Sequence, residues 1–183
     1  MTFRVVLDAN VVFPFSLRDT LLRAAAAGYF QVYWSGDILD ETTRNLIKTG
    51  TISEQQAVHL VEAMTAAFPE AMVEDYEPLI DVMPNDEKDR HVAAAAVTAG
   101  AQVIVTNNLK DFRVLPEGVE AQSPDEFLVD LFDLDSQGVV TLLRKQARAL
   151  KKPPKTCEEL MDGLAKTVPS FVKAVREYLS EPD

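Results

Sequence analysis

The chain has 183 residues, 47% of them hydrophobic and 26% charged, with a formal net charge of −11. That length buries a sizeable core in one domain, or one domain with an appendage, and the composition excludes disorder. A single cysteine, Cys157, excludes an intramolecular disulfide or a cysteine-based zinc cluster and makes the cytoplasm the expected compartment.

The longest apolar stretch, residues 92–105, is broken by Thr98, Gly100 and Gln102, so no membrane span is expected, and the opening strand leaves no room for a signal peptide. The charge is uneven. Residues 1–135 carry 9 Lys+Arg against 23 Asp+Glu, a balance of −14, while residues 136–183 carry 9 against 6, a balance of +3. An acidic total argues against a phosphate-rich partner, and the basic tail argues for one.

The first element is the apolar run FRVVLDANVVF at residues 3–13. Val5, Val6 and Leu7 are continuous rather than alternating, which predicts a strand buried on both faces of a parallel sheet. Asp8 then stands at the strand's C-terminal end beside Asn10. In open α/β sheets ligands bind at that edge, so Asp8 is a candidate metal or phosphate ligand; an Asx-turn is the alternative.

Residues 16–27 predict a helix capped by Ser16 and stopped at Gly28. A second strand follows at 31–34. A helix capped by Ser35 or Asp37 runs to about Thr49, with Ile38, Leu39, Thr42 and Leu46 on one side and Glu41 on the other. Taken alone, Glu41 reads as part of a solvated face. Residues 53–68 form another amphipathic helix, and 69–84 are acidic and irregular, with a short strand among Met72, Val73, Leu79, Ile80 and Val82.

The next helix opens at 84–86 and closes at Gly100, with Ala93, Ala96 and Asp89 on one face. A charge on a buried face needs a reason: Asp89 either helps cap the helix with Asp86 or holds a cation. Val103, Ile104 and Val105 are a second continuous apolar strand. It ends in Thr106, Asn107 and Asn108, followed by Lys110 and Asp111. An edge strand is expected at 118–121, and a helix capped by Ser123 with Pro124 at its first position.

Beyond Asp135 the pattern is helical: 136–152, a break at Pro153 and Pro154, then 156–166 and 169–179. The first of these helices has Val139, Val140, Leu143, Ala147 and Leu150 as its packed stripe. Arg144, Lys145, Arg148, Lys151 and Lys152 fall opposite, with no acid between Asp135 and Glu158. That basic face is a solvated surface, a docking site for a partner, or an RNA-contacting element; the repulsion that an acidic domain exerts on a polyanion favours RNA.

Asp8, Glu41, Asp89 and the group Asn107, Asn108 and Asp111 thus recur at the ends and starts of elements. Several carboxylates within a few Å repel one another and raise each other's pKa unless a cation is present, and all-oxygen ligation favours Mg²⁺ or Mn²⁺ over zinc.

VVLDANV, ILDETTRNL, DEKDRHVAAAA and VIVTNNLKDF resemble, in order and spacing, the four signature blocks of PIN-domain ribonucleases, and in particular VapC-like toxins with a helical C-terminal extension. The resemblance implies an α/β fold, a parallel sheet flanked by helices, over residues 1–122, with a helical appendage over 123–183. It implies a metal-dependent endoribonuclease that cuts RNA, acts as the toxin of a toxin–antitoxin pair, and forms a homodimer. Asp8, Glu41 and Asp89 match the family's first three acids and are the expected catalytic residues. Together with Asn108 and Asp111 they are the expected ligands of Mg²⁺ or Mn²⁺, with Asn10, Thr106 and Asn107 in support.

Many members place an Asp directly after the fourth-block strand, where this chain has Asn107 and Asn108. An asparagine ligates but supplies no charge, so one metal or two remain open. Two other classes compete. A haloacid-dehalogenase-type phosphatase needs an acid where Asn10 stands. An inactive PIN-fold module that binds RNA or protein would tolerate the softened fourth position.

Overall fold

Val5, Val6 and Leu7 have no solvent exposure, because β1 (Arg4–Leu7) is the middle strand of a five-stranded sheet. The computed structural model describes residues 2–182. After β1 come α1 (Ala9–Val12), α2 (Phe15–Ala26), β2 (Gln31–Ser35), α3 (Gly36–Lys48), α4 (Glu54–Ala67) and β3 (Met72–Val73). They are followed by α5 (Arg90–Ala99), β4 (Val103–Val105), β5 (Glu120–Gln122), α6 (Pro124–Leu134), α7 (Ser136–Ala149), α8 (Cys157–Leu164) and α9 (Pro169–Ser180). The strand order is β3-β2-β1-β4-β5, and every pairing is parallel. The expected α/β architecture, a parallel sheet flanked by helices and followed by further helices, is the one observed.

Two compact units divide the chain. The first takes the sequence up to Phe13 and then Phe30–Gln122; the second takes Pro14–Tyr29 and everything from Ser123. The helix α2, which lies within the range 1–122 in sequence, therefore packs with the C-terminal helices.

In the first unit the parallel register brings all strand C-termini to one edge. Val6 pairs with Tyr33 on one side and Ile104 on the other. The ladder runs one residue past β1, where the Asp8 N–H donates to the Val105 carbonyl at 3.0 Å. Asp8, Ser35 and Thr106 are thereby set in one row. The Ser35 hydroxyl accepts from the Ile38 N–H at 3.2 Å and starts α3 as a serine N-cap does.

Behind this row lies α5, whose Val92, Ala93, Ala94, Ala95 and Ala96 are all fully buried. A helix buried all round must present small side chains where it meets strands closely. It packs on β1, β2 and β4, and the 3₁₀ turn Glu77–Val82 covers it as well. That contact gives the irregular acidic stretch a structural role its sequence does not reveal. Gly100 ends α5 with φ +66°, the left-handed cap expected there.

In the second unit α2 and α7 are tied by a buried polar link. The Thr20 hydroxyl donates to Gln146 Oε1 at 2.8 Å, and Gln146 Nε2 donates to the Ser16 carbonyl at 3.2 Å. Gln146 is fully buried, so its amide is costly to leave unpaired and the link fixes the pairing of the two helices. The Asp125 carboxylate accepts from the Ser170 and Phe171 N–H groups and so caps α9, while Phe132 meets Phe171 and Tyr178 edge-on.

Four expectations change. The helix expected to open at 84–86 begins at Arg90, after the 3₁₀ turn Glu87–Asp89, so Asp89 precedes it rather than standing on its face. Ser16 does not cap α2, because Pro14 occupies that position and the helix begins at Phe15. The helix α7 stops at Ala149 rather than at 152, where Leu150 turns extended ahead of the two prolines. Its packed side is also wider than the expected stripe, since Leu142 and Gln146 are buried and Leu150 is half-buried.

The tight seat of α5 predicts that Ala95→Leu destabilises the protein by roughly 1–3 kcal/mol through overpacking. A lower urea midpoint with an unchanged slope checks it.

Candidate functional site

The sheet edge gathers the side chains of four separate segments. Asp8 is 3% exposed, and its carboxylate accepts from the Ala9 N–H at 2.8 Å, the Thr106 hydroxyl at 2.8 Å and Asn10 Nδ2 at 3.2 Å. The Asn10 side chain reaches further, donating to Thr106 Oγ1 at 3.2 Å and accepting from the Asn107 N–H at 2.9 Å. The Asn108 N–H donates to Thr106 Oγ1 at 3.0 Å, and Asn108 Nδ2 donates to Asp111 Oδ2 at 2.7 Å. One continuous network therefore runs from Asp8 through Asn10, Thr106 and Asn108 to Asp111.

The 3₁₀ turn Glu87–Asp89 supplies the other half. Asp86 caps that turn by accepting from the Lys88 N–H, and its own N–H donates to the Asp111 carbonyl at 3.2 Å. Asp89 makes no capping hydrogen bond, although it precedes α5 directly. It is 7% exposed, and its Oδ2 is buried without a hydrogen-bond partner. Carboxylate oxygens of Asp86, Asp89 and Asp111 all lie within 4.8 Å of one another. Lys88 Nζ stands 3.2 Å from Asp111 Oδ2.

The electrostatics follow from this crowding. Burial pushes the Asp89 carboxyl up to about 7, reinforced by the Asp8 charge and by the Asp111 carboxylate, to which a protonated Asp89 donates. Burial also raises Asp8; Thr106 and the Ala9 N–H pull it down, and the charge of Glu41 pushes it up again. Burial raises Asp111 as well, but the Lys88 ammonium beside it more than offsets that and leaves it below the usual carboxylate value.

The residues present fit a hard divalent cation. The donors are all oxygen, three acids converge within 4.8 Å, and one buried oxygen lacks a partner that a cation would supply. Of the residues read from the sequence, Asp89 and Asp111 belong to this cluster. Asp8 and Glu41 stand outside it but within electrostatic reach of each other, and Asp8 also acts on Asp89. Asn10, Thr106, Asn107 and Asn108 form the network that holds Asp8 and Asp111. The sequence points to Asp86 only as a cap and does not single out Lys88 or His91. The spacing of Asp86 and Asp89, three residues apart, was the available signal for the first. His91 is half-buried and lowers the Asp8 pKa, and its Nδ1 is buried without a hydrogen-bond partner. His59 is exposed on α4.

In the second unit Arg144, Lys145 and Arg148 are exposed on α7, and Lys151 and Lys152 are exposed in the segment after it.

Comparison with known proteins places these features. Residues 4–110 match the family model described as PIN domain, and residues 124–177 match that of the VapC50 C-terminal domain. The chain is 41% identical over 104 residues to a Mycobacterium tuberculosis protein named "Putative ribonuclease VapC50". That match covers 55% of this chain and 62% of the relative, so the chain spans less than two thirds of the relative's length. No solved structure matches it. The chain belongs to the PIN-domain family and carries a VapC-type C-terminal extension.

The raised Asp89 pKa carries a stability consequence. In the unfolded chain this carboxyl ionises near its ordinary value, 3.8, whereas in the folded chain it keeps its proton to about 7. The folded state therefore binds more protons between those values, and its stability falls as pH rises through that window. In the presence of EDTA, Asp89→Asn should leave thermal stability at pH 4 nearly unchanged and raise it at pH 8; thermal melts of both proteins at the two pH values check this.

Proposed function

We propose that this chain is a metal-dependent endoribonuclease that hydrolyses RNA phosphodiester bonds and serves as the toxin of a toxin–antitoxin pair. The observation that carries the reading is the buried, unpartnered Asp89 oxygen inside a three-acid cluster at the C-terminal edge of a parallel sheet. Such an arrangement is costly without a cation and useful with one. The relative's name, a ribonuclease, and the PIN-family membership point the same way.

In this reading Asp86, Asp89 and Asp111 hold Mg²⁺ or Mn²⁺. The bound cation supplies the positive charge that polarises a phosphodiester and acidifies water. The chain's own groups do the positioning. Thr106, Asn10 and the Ala9 N–H fix the Asp8 carboxylate in one orientation beside Asp89. Asn108 fixes Asp111, and Asp86 ties the turn to the Asp111 backbone. Glu41 adds negative charge next to Asp8, which strengthens the site's preference for a cation. Asp89 keeps a proton near neutral pH in the metal-free state and releases it when the cation enters. An antitoxin with a cationic segment suits the same cluster, because a guanidinium satisfies paired carboxylates. The functional unit is a homodimer, as in the toxins the sequence resembles.

Lys88 supports a second reading. Its ammonium already neutralises Asp111, which a catalytically inactive binding module would exploit to fold without metal.

Cleavage of a mixed-sequence RNA separates the two. The nuclease reading predicts cleavage that requires Mg²⁺ or Mn²⁺, stops in excess EDTA, and is abolished by Asp89→Asn with folding intact. Thr106→Val, which removes the hydroxyl that orients Asp8 and accepts from Asn10 and the Asn108 N–H, should cost about 10–100-fold in activity. Cleavage undiminished by EDTA or by Asp89→Asn contradicts the reading, and absence of cleavage by the parent with either metal favours the binding module.

A further inference from the structure

A cavity of about 320 Å³ opens within the second unit, against α2 and α7. Ala26, Ala27 and Leu142 give it apolar walls, while Arg23, Tyr29 and Lys145 supply its polar lining. That volume is at the small end of ligand sites, enough for about one nucleotide-sized group. Gly138 makes the arrangement possible. A Cβ there would lie 2.2 Å from the Tyr29 hydroxyl oxygen and 2.1 Å from Asp135 Oδ2, so a larger residue would displace this hydroxyl–carboxylate pair from the start of α7. The Tyr29 hydroxyl donates to Asp135 Oδ2 at 2.7 Å, which fixes the ring. Burial and the Asp135 carboxylate push its pKa up to about 12, so the phenol adds no negative charge to the cavity.

The basic surface continues from this cavity. Lys145 and Arg148, three residues apart on α7, lie on neighbouring rows of the helix. Arg144, Lys151, Lys152 and Lys155 extend the charge along the chain, and all six are exposed. Among the described residues none of them pairs with an acid. No large apolar side chain is exposed between Leu134 and Leu179. Protein interfaces are depleted in lysine and rich in aromatic and apolar anchors, whereas single-stranded nucleic acid is held by cationic tracks with a ring to stack on. The surface has the second character.

We infer that the α2/α7 cavity and the basic row leading from it form a binding site for single-stranded RNA, with one base seated against Tyr29 and adjacent phosphates on Lys145 and Arg148. This rests on the reading of the chain as an RNA hydrolase and adds where the strand is held.

The test is fluorescence anisotropy of a labelled mixed-sequence 12-nucleotide RNA with the full chain in EDTA, where no cleavage is expected, across a salt series. Lys145→Gln/Arg148→Gln should weaken binding about tenfold and reduce the salt slope by about 1.4, the value for two lost phosphate contacts on a single strand. Lys166→Gln/Lys173→Gln, which removes the same charge from exposed positions elsewhere in the unit, should change affinity less than about twofold. Ala26→Trp, at an exposed cavity wall, should weaken binding without changing the salt slope. Equal losses in the two double variants, or parent-like binding by the first, overturn the site. Variant-sensitive binding of polyglutamate without binding of RNA overturns it in favour of an acidic protein partner. Parallel cleavage by the parent in Mn²⁺ keeps the two claims apart: a parent that cuts RNA while its α7 variants bind normally loses only this site, and a parent that neither binds nor cuts loses the nuclease reading as well.

Discussion

Like-charge repulsion at the end of β1 and β4 is the constraint around which the first unit is organised. A parallel sheet delivers its strand C-termini to one edge, and this chain places Asp8 there, with Asp86 and Asp89 arriving from the cap and the end of the turn Glu87–Asp89 and Asp111 from a further 3₁₀ turn, Leu109–Phe112. The charges of Asp8 and Asp111 make the buried Asp89 carboxyl harder to ionise. The protein offsets part of that cost with hydrogen bonds from Thr106, Asn10 and Asn108, and part with the Lys88 ammonium. At Asp89 it offsets little, and the result is a carboxyl that is protonated near neutrality with an oxygen left unpaired. Native proteins pair almost all buried polar atoms, and an exception calls for an explanation, which a bound cation would supply at Asp89.

The rest of the unit reads as support for that edge. The central strand is apolar on both faces, so its end is rigidly held. The helix α5 is built of alanines that let it seat closely on three strands, and this fixes the turn that carries Asp86 and Asp89. The second unit has a different logic. Its helices are locked by the Thr20–Gln146 link, and its exposed face on α7 is cationic where the first unit is acidic. On the proposed function, an acidic unit that holds a cation and a basic helical unit that holds RNA would divide two tasks that conflict in one surface.

Much of this was legible in the sequence. Continuous apolar runs ending in Asp8 and in Thr106 announced buried parallel strands and the edge where their polar ends meet, and Gly100 announced the end of α5. Asp89 stood out as a charge beside an alanine face. What the sequence concealed depends on contacts between distant segments. Asp86 had a sufficient local explanation as a cap, so nothing in the linear pattern required it to face Asp111. Nothing in the linear pattern pairs Lys88 with Asp111, which lies 23 residues further on. The membership of α2 in the second unit rests on Gln146, 126 residues beyond Thr20, and no local periodicity reports such a pairing. The early end of α7 came from the two prolines acting a few residues upstream.

In the proposed function Asp89, protonated near neutrality and with an open oxygen, is the group that a divalent cation would deprotonate and occupy. Calorimetric titration of Mn²⁺ into the metal-free protein, run at pH 6 and pH 8 in buffers of different ionisation enthalpy, tests it most directly. The expected result is saturable binding with release of most of one proton at pH 6 and little at pH 8, and loss of both binding and proton release in Asp89→Asn. Parent-like Mn²⁺ affinity in Asp89→Asn, or binding with no proton release at either pH, would contradict it.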